Sequence, residues 1–292
     1  MYIKPECAIC IVRQVVDAVK EITDNEDEQF KLVNNCFDVI KKYYHKNIIP
    51  AEMGTRVHRY LKEISGCEDP YKRLKEIANK IALKYYDIVK EECNLEDSYL
   101  RLRKIILSTI AGNVIDYGAY STDVDIENLI FKTLNEDLKI DYTRDLLEDL
   151  KNDKIKKILY ICDNAGEIVF DKLLMEEFKK YNKEVVVVVK GKPILNDATL
   201  EDAKVAKIDE VAKIITTGSD VIGILLEECS EEFKKHLNDS DIIIAKGMGN
   251  YESLPEYKIN KKVYFILKAK CKPVANNLGV NVGDNVILKK YL

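Results

Sequence analysis

Tryptophan is absent from the 292 residues, and histidine occurs three times, at positions His45, His58 and His236, scattered along the chain. A histidine-rich metal centre is therefore not to be read from this sequence. Long apolar stretches are also missing. The run Val185–Val189 is five residues, whereas a membrane span needs about 20. Positive charge is not in excess: 46 Lys+Arg stand against 50 Asp+Glu, a net charge of −4, with a pI near 5.7. A nucleic-acid coat or an anionic-membrane binder needs a basic surface, so neither is expected. The phosphate fingerprints GxxxxGK[ST] and GxGxxG are both lacking, which argues against a kinase-like or nucleotide-binding regulator.

Eight cysteines in a chain of this length fall short of the density of a small secreted disulfide scaffold. The N-terminus MYIKPECAIC carries Glu6 and no apolar stretch with a small-residue cleavage site, so no signal peptide is read and a cytoplasmic location is expected. An apolar fraction of 47% is that of a globular protein. The length suggests about two domains.

The hydrophobic period changes midway. Ile9, Val12, Val15, Val16 and Val19 recur at spacings of three and four, as do Phe30, Val33, Phe37, Ile40 and Tyr44. These are helical stripes. Further helices are expected over 55–64, 71–91, 100–111 and 126–138, with no strand before residue 155. Beyond that point short apolar runs take over, at 158–162, 185–189, 213–216, 241–245 and 263–267. They alternate with helical stretches at 167–181, 199–207 and 221–237. Continuous apolar runs suit a parallel sheet covered on both faces, and the alternation implies right-handed βαβ units. The expected architecture is α/β: a helical region over 1–150 packed on a doubly wound, mostly parallel, Rossmann-like domain over 151–292, with the boundary in the charged stretch 148–156.

Ligands of open α/β sheets bind beyond the carboxyl ends of the strands. There the sequence reads Cys162-Asp163-Asn164-Ala165-Gly166-Glu167, then Asn196-Asp197-Ala198-Thr199, Thr217-Gly218-Ser219-Asp220, and Lys246-Gly247-Met248-Gly249-Asn250. Asp163, Asn164 and Asp197 offer hard oxygen ligands suited to a divalent cation such as Mg²⁺ or Mn²⁺. Lys246 is a point charge for phosphate. Backbone N–H groups near Gly218, Ser219 and Gly247 can approach an anion closely. A metal, a lysine and a backbone nest together describe phosphoryl transfer or phosphate-ester hydrolysis. The same residues also serve ordinary ends: Asp163, Asn164 or Ser219 as a helix N-cap, Lys246 as a solvated lysine.

In the helical half, Asn113 and Asp116 lie three apart and share a face if helical; a helix C-terminus stopped by Gly118 explains them equally. Cys7 and Cys10 form a CxxC with no second cysteine pair close by, which leaves zinc, redox chemistry and simple packing open. Thr55 or Arg56 of Met53-Gly54-Thr55-Arg56 are further candidates for the pocket. Cys162, inside an apolar strand, is expected to be buried rather than nucleophilic.

DNAGE at 163–167, NDAT at 196–199, KGMGNYE at 246–252, AGNVIDYG at 111–118, DPY at 69–71 and the N-terminal CxxC, together spanning essentially the whole chain, resemble the damage-control phosphatase family, and the CxxC places the chain with its subfamily I. Another subfamily carries EGMGR where this chain reads KGMGN, so substrates do not transfer from it. The resemblance implies metal-dependent hydrolysis of small phosphomonoesters such as sugar phosphates or damaged metabolites, with Mn, Ni, Co or Mg held by Asp163, Asn164 and Asp197. The expected roles are Asp163, Lys246 and Glu167 in catalysis, and Lys246, Gly218, Ser219, Asn113, Asp116 and Asn250 around the substrate. Whether water or the Asp163 carboxylate attacks phosphorus stays open, as does oligomeric state. A methyltransferase using S-adenosylmethionine on carboxyl groups and a zinc-binding interaction protein are the alternatives.

Overall fold

The computed structural model describes residues 1–113 and 125–292. Its first elements are helices: α1 (Cys7–Ile22), α2 (Glu26–Tyr43), α3 (Pro50–Ser65), α4 (Lys72–Glu92), α5 (Ser98–Gly112) and α6 (Ile126–Leu134). Local chemistry sets their ends. Asn25 caps α2 by accepting from the Glu28 N–H, and Glu26, Asp27 and Glu28 sit in its first turn, where the helix dipole favours negative charge. Pro50 opens α3 and Gly66, in the left-handed conformation, closes it. The helix expected over 55–64 therefore begins five residues earlier, at Pro50, because proline is at home in a first turn. α1, α2 and α3 bury Ile11, Val15, Leu32, Met53, Val57 and Leu61 against one another in a core of their own.

The remaining elements are β1 (Leu138–Asp141), α7 (Thr143–Lys151), β2 (Lys157–Ile161), α8 (Glu167–Lys180), β3 (Glu184–Val189), α9 (Leu200–Val205), β4 (Lys213–Thr216), α10 (Glu231–Asp239), β5 (Ile242–Lys246), α11 (Gly247–Ser253), β6 (Lys262–Lys268), α12 (Lys272–Leu278) and β7 (Asn285–Tyr291). The seven strands form one sheet in the order β1-β7-β6-β5-β2-β3-β4. β2 to β6 run parallel; β7 is antiparallel to β6, and β1 is parallel to β7. Alternate residues of β2 serve opposite faces. Ile158 and Tyr160 join a core built with α4, α5, α7 and α8, whereas Leu159 and Ile161 join one that includes Phe233, Tyr251 and Val274 from α10, α11 and α12. Both faces are covered, as the unbroken apolar runs require.

Three expectations need correction. β1 lies before residue 155 and belongs to the sheet. The helix expected over 126–138 stops at Leu134, and the chain turns into that strand. The stretch 221–230 is not helical: only a short 3₁₀ turn, Leu226–Glu228, interrupts it, and α10 starts after Ser230, which caps it. The N–H groups of Ile222 and Ile224 bond instead to Thr55 and Ser253 side chains, and these tertiary bonds replace the helical ladder.

The strand order decides where a ligand goes. From β2 the chain moves outward through β3 to β4, then returns to place β5 on the other side of β2. The switch point of this sheet is therefore the crevice between the carboxyl ends of β2 and β5.

Candidate active site

β2 delivers Asp163 and Asn164 into that crevice, and β5 delivers Gly247 opposite them. Gly247 has φ +77, and a Cβ there would lie 2.0 Å from Asp163 Oδ2. Only glycine tolerates both the backbone angle and the carboxylate against it. The loop after β3 then lies along the loop after β2. Asn164 and Asp197 form an isolated antiparallel bridge. The Ala165 N–H donates to the Asn196 carbonyl at 2.9 Å, and the Ala198 N–H to the Asp163 carbonyl at 2.8 Å. Asp197, distant in sequence, is thereby fixed beside Asp163 and Asn164.

α5 supplies the next residue. Gly112 lets its last turn press on α8, where a Cβ would meet Glu167 Cα at 2.7 Å. Asn113 follows as the C-cap residue, and its Nδ2 donates to Asp163 Oδ2 at 3.0 Å and to Glu167 Oε2. Asn113 is thus both the helix C-cap and a bonded neighbour of Asp163 and Glu167. Its partner in the sequence argument, Asp116, lies outside the described residues, as does Gly118.

The electrostatics suit a cation. Asp163 is held well above the ordinary carboxylate pKa, by burial first and then by Glu167 and Asp197. Asp197 is also raised by burial, although Lys190 pulls the other way from 3.4 Å. Two carboxylates that resist ionising together, with the Asn164 carboxamide on the same pair of bridged loops, form a donor set that a hard divalent ion satisfies. Among the described residues, no group of three or more His, Cys, Asp and Glu is placed to hold a metal. The set here is two aspartates and an asparagine, which leaves positions for water or substrate oxygens.

Lys246 is turned into the protein and not toward solvent. Its side chain is fully buried, and its ammonium donates to Glu167, to Asp171 at 2.8 Å and to the Thr109 carbonyl at 3.2 Å. An ammonium has three protons and all are taken. Burial disfavours its charge, yet Asp171 and Glu167 hold its pKa above the usual lysine value. Glu167 likewise has one oxygen on Lys246 and the other on Asn113, so it orients Asn113 rather than standing open to a reactant. Asn250 is buried as well, and ties the Cys162 and Lys246 carbonyls together. Gly218 packs against Gly191 and Ser230. The Ser219 N–H is taken by Thr217 Oγ1, and its carbonyl accepts from Gly191. The polar groups of Lys246, Asn250 and Ser219 are thus engaged within the protein, and Gly218 is packed between neighbouring loops.

Thr55 holds the loop that follows β4, accepting from the Ile222 N–H at 3.0 Å, and Arg56 pairs with Glu52 at the surface. Cys162 is buried, which pushes its thiol well up and keeps it protonated. Cys7 is buried at the first turn of α1, which raises its thiol pKa, and Cys10 is exposed one turn on.

Lys270 is not among the residues the sequence singles out, though it follows β6 and obeys the same strand-end rule. It is partly buried, donates to Asn113 Oδ1, and its charge favours ionised Asp163. Lys190 is a second such residue, linking Asp197 to the Gly223 carbonyl at 2.6 Å.

The chain resembles known proteins along its whole length. The chain is 39% identical to a damage-control phosphatase of Archaeoglobus fulgidus over 98% of both chains. It is 35% identical to the damage-control phosphatase PH1575 of Pyrococcus horikoshii, over 99% of this chain and 98% of that one, and 69% identical to an uncharacterized protein of Methanocaldococcus jannaschii, over 99% and 95%. The crystal structure of the DUF89 family protein of P. horikoshii superposes with a TM-score of 0.89 at 34% identity, covering 99% of each chain. These relationships do not favour the methyltransferase or the zinc-binding alternative. With the model of the ARMT1-like damage-control phosphatase domain matching residues 3–286, the chain belongs to that family.

Proposed function

We propose that this phosphatase is metal-dependent and hydrolyses small phosphomonoesters, such as sugar phosphates or damaged phosphometabolites, in the cytoplasm. The observation that carries the reading is the juxtaposition of Asp163, Asn164 and Asp197 at the switch point of the sheet, fixed by the bridge between their loops. These residues would hold one divalent cation of the Mg, Mn, Co or Ni type. Bound there, such an ion would draw charge from phosphoryl oxygens and acidify a water. The remaining work falls to the chain. Lys270 supplies positive charge on the Asp163 side of the crevice, where phosphoryl oxygens would gather negative charge. Asn113 spans Asp163, Glu167 and Lys270 and keeps the Asp163 carboxylate oriented. Glu167 and Asp171 share the Lys246 ammonium beneath them, which holds Asn113 in place and offsets carboxylate charge that would repel a phosphate.

The test is phosphate release from p-nitrophenyl phosphate and a panel of sugar phosphates, after chelation and after adding back Mg²⁺, Mn²⁺, Co²⁺ or Ni²⁺. Turnover restored by metal in the native chain and lost in Asp197→Ala is expected. Undiminished turnover in the chelated protein would refute metal dependence.

A further inference from the structure

The bridge between the two ligand loops is backed by a second connection from the helical half of the chain. Asn79 of α4 is buried, and so is Asp202 of α9. Asn79 Oδ1 accepts from the Gly166 N–H at 2.7 Å, inside the loop that carries Asp163 and Asn164. Its Nδ2 donates to Asp202 Oδ1 at 2.7 Å. The other oxygen of Asp202 accepts from the Thr199 N–H at 2.8 Å and the Thr199 hydroxyl at 2.6 Å, two residues beyond Asp197. One carboxamide thus grips the loop after β2 with its oxygen and, through Asp202, the loop after β3 with its nitrogen. The grip is close. A Cβ on Gly166 would stand 3.0 Å from Ala78 Cβ and 3.1 Å from the Ala78 carbonyl oxygen, and Gly166 has φ +74. The loop therefore rests directly on the backbone of α4.

We propose that Asn79 is a positioning residue for the metal site: it sets the register between the Asp163–Asn164 loop and the Asp197 loop, and Asp202 is its relay. The proposal rests on the metal-dependent reading given above. The polarity of the network makes it specific. An aspartate at position 79 keeps the acceptor for Gly166 but faces Asp202 with a second carboxylate. An asparagine at position 202 turns an amide toward Asn79, or away from it at the expense of Thr199. Making both changes together restores every hydrogen bond of this network, with donor and acceptor exchanged between the two positions, while the Lys75 ammonium, 3.9 Å from Asp202 Oδ2, loses its carboxylate there. The carboxylate introduced by Asn79→Asp accepts from the Gly166 N–H and from the amide nitrogen introduced by Asp202→Asn, whose own oxygen accepts from Thr199.

The experiment measures Mn²⁺ affinity of the full chain by calorimetry for the native protein, Asn79→Asp, Asp202→Asn, the double variant, and Val89→Ala as a control. Val89 is buried on the same helix, roughly 15 Å further along. Folding of each is checked by circular dichroism and melting temperature without metal. Both single variants are expected to bind Mn²⁺ about tenfold or more weaker, as groups that orient metal ligands generally do. The double variant is expected to recover to within about threefold of the native value. Val89→Ala is expected to melt earlier with affinity unchanged, which separates positioning from general loosening. If Asn79→Asp does not fold, Asp202→Asn against the double variant decides. Native binding with unaltered affinity in the single variants, or no recovery in the double, would overturn the role of Asn79. A native chain that takes up no Mn²⁺ would overturn the metal reading beneath it.

Discussion

A lysine buried beneath the crevice illustrates how side-chain chemistry is decided by neighbours. Lys246 neutralises Glu167 and Asp171 where none of the three is open to water. Replacing it by methionine keeps most of its volume but strands two buried carboxylates, a loss of about 3–5 kcal/mol for a pair broken on one side. Urea unfolding of Lys246→Met should show that loss. Gly247→Ala should act differently. Its methyl would fall on the Asp163 carboxylate, so turnover should drop by more than about tenfold while far-UV circular dichroism stays native, and phosphate release against the native chain checks it. The roles of these residues are unequally legible in the sequence. Asp163, Asn164 and Asp197 can be picked out because a strand end announces itself by an apolar run that stops at polar residues. Whether the lysine at such an end meets water or buried carboxylates depends on α5 and α8, and no local pattern records it. Lys270 obeys the same rule as the others but is hidden, because its neighbours Lys268 and Lys272 make it look like one of several surface lysines.

At the level of elements, the loop 217–230 shows tertiary bonding overriding local pattern. Val221, Ile224 and Leu225 have helical spacing, but Thr55 on α3 and Ser253 on α11 capture the N–H groups that a helix would use. Thr55 and Arg56 are equal candidates in sequence; the structure separates them. Thr55→Val keeps the shape and leaves the Ile222 N–H without its acceptor, which should cost about 1–3 kcal/mol. Arg56→Ala removes an exposed pair with Glu52 and should cost less than about 1 kcal/mol. Denaturant midpoints of the two variants give the comparison, and equal losses would contradict it. β1 and β7 escape a sequence reading for related reasons. The four residues of β1 present two apolar positions, which cannot be told from the end of an amphipathic helix. β7 carries Lys289 and Lys290 near its end, and its role is set by pairing with β1 and β6, a long-range fact.

The whole molecule is held together by contacts across great sequence distance, and one of them carries a pH signature. The Met1 ammonium donates to the Glu252 carbonyl and pairs with Glu256 at 2.8 Å. Burial pushes the Glu252 carboxyl up to about 7, against the pull of that ammonium. Below about pH 4.5 the group is neutral whether the chain is folded or not. Between there and about 7 it is neutral only when folded, so unfolding releases a proton and stability falls as pH rises. Above about 7 the full penalty stands, at most about 3 kcal/mol. Glu252→Gln should therefore flatten the stability profile between about pH 5 and 8, and be the more stable protein at its upper end. Unfolding free energies measured at intervals across that window check this, and a parallel slope in both proteins would contradict it.

Among the described residues no helix is long and apolar enough to cross a membrane. The strand order brings the candidate site to the junction of β2 and β5, where Asn113 bonds Asp163 and Asn79 bonds the loop after β2. The most direct test of that arrangement is a crystal structure of the native chain grown with Mn²⁺, with anomalous scattering recorded for manganese. A peak bounded by the side-chain oxygens of Asp163, Asn164 and Asp197 is predicted. A manganese peak elsewhere, at Cys7 and Cys10 for instance, with none in the crevice between β2 and β5, would contradict it.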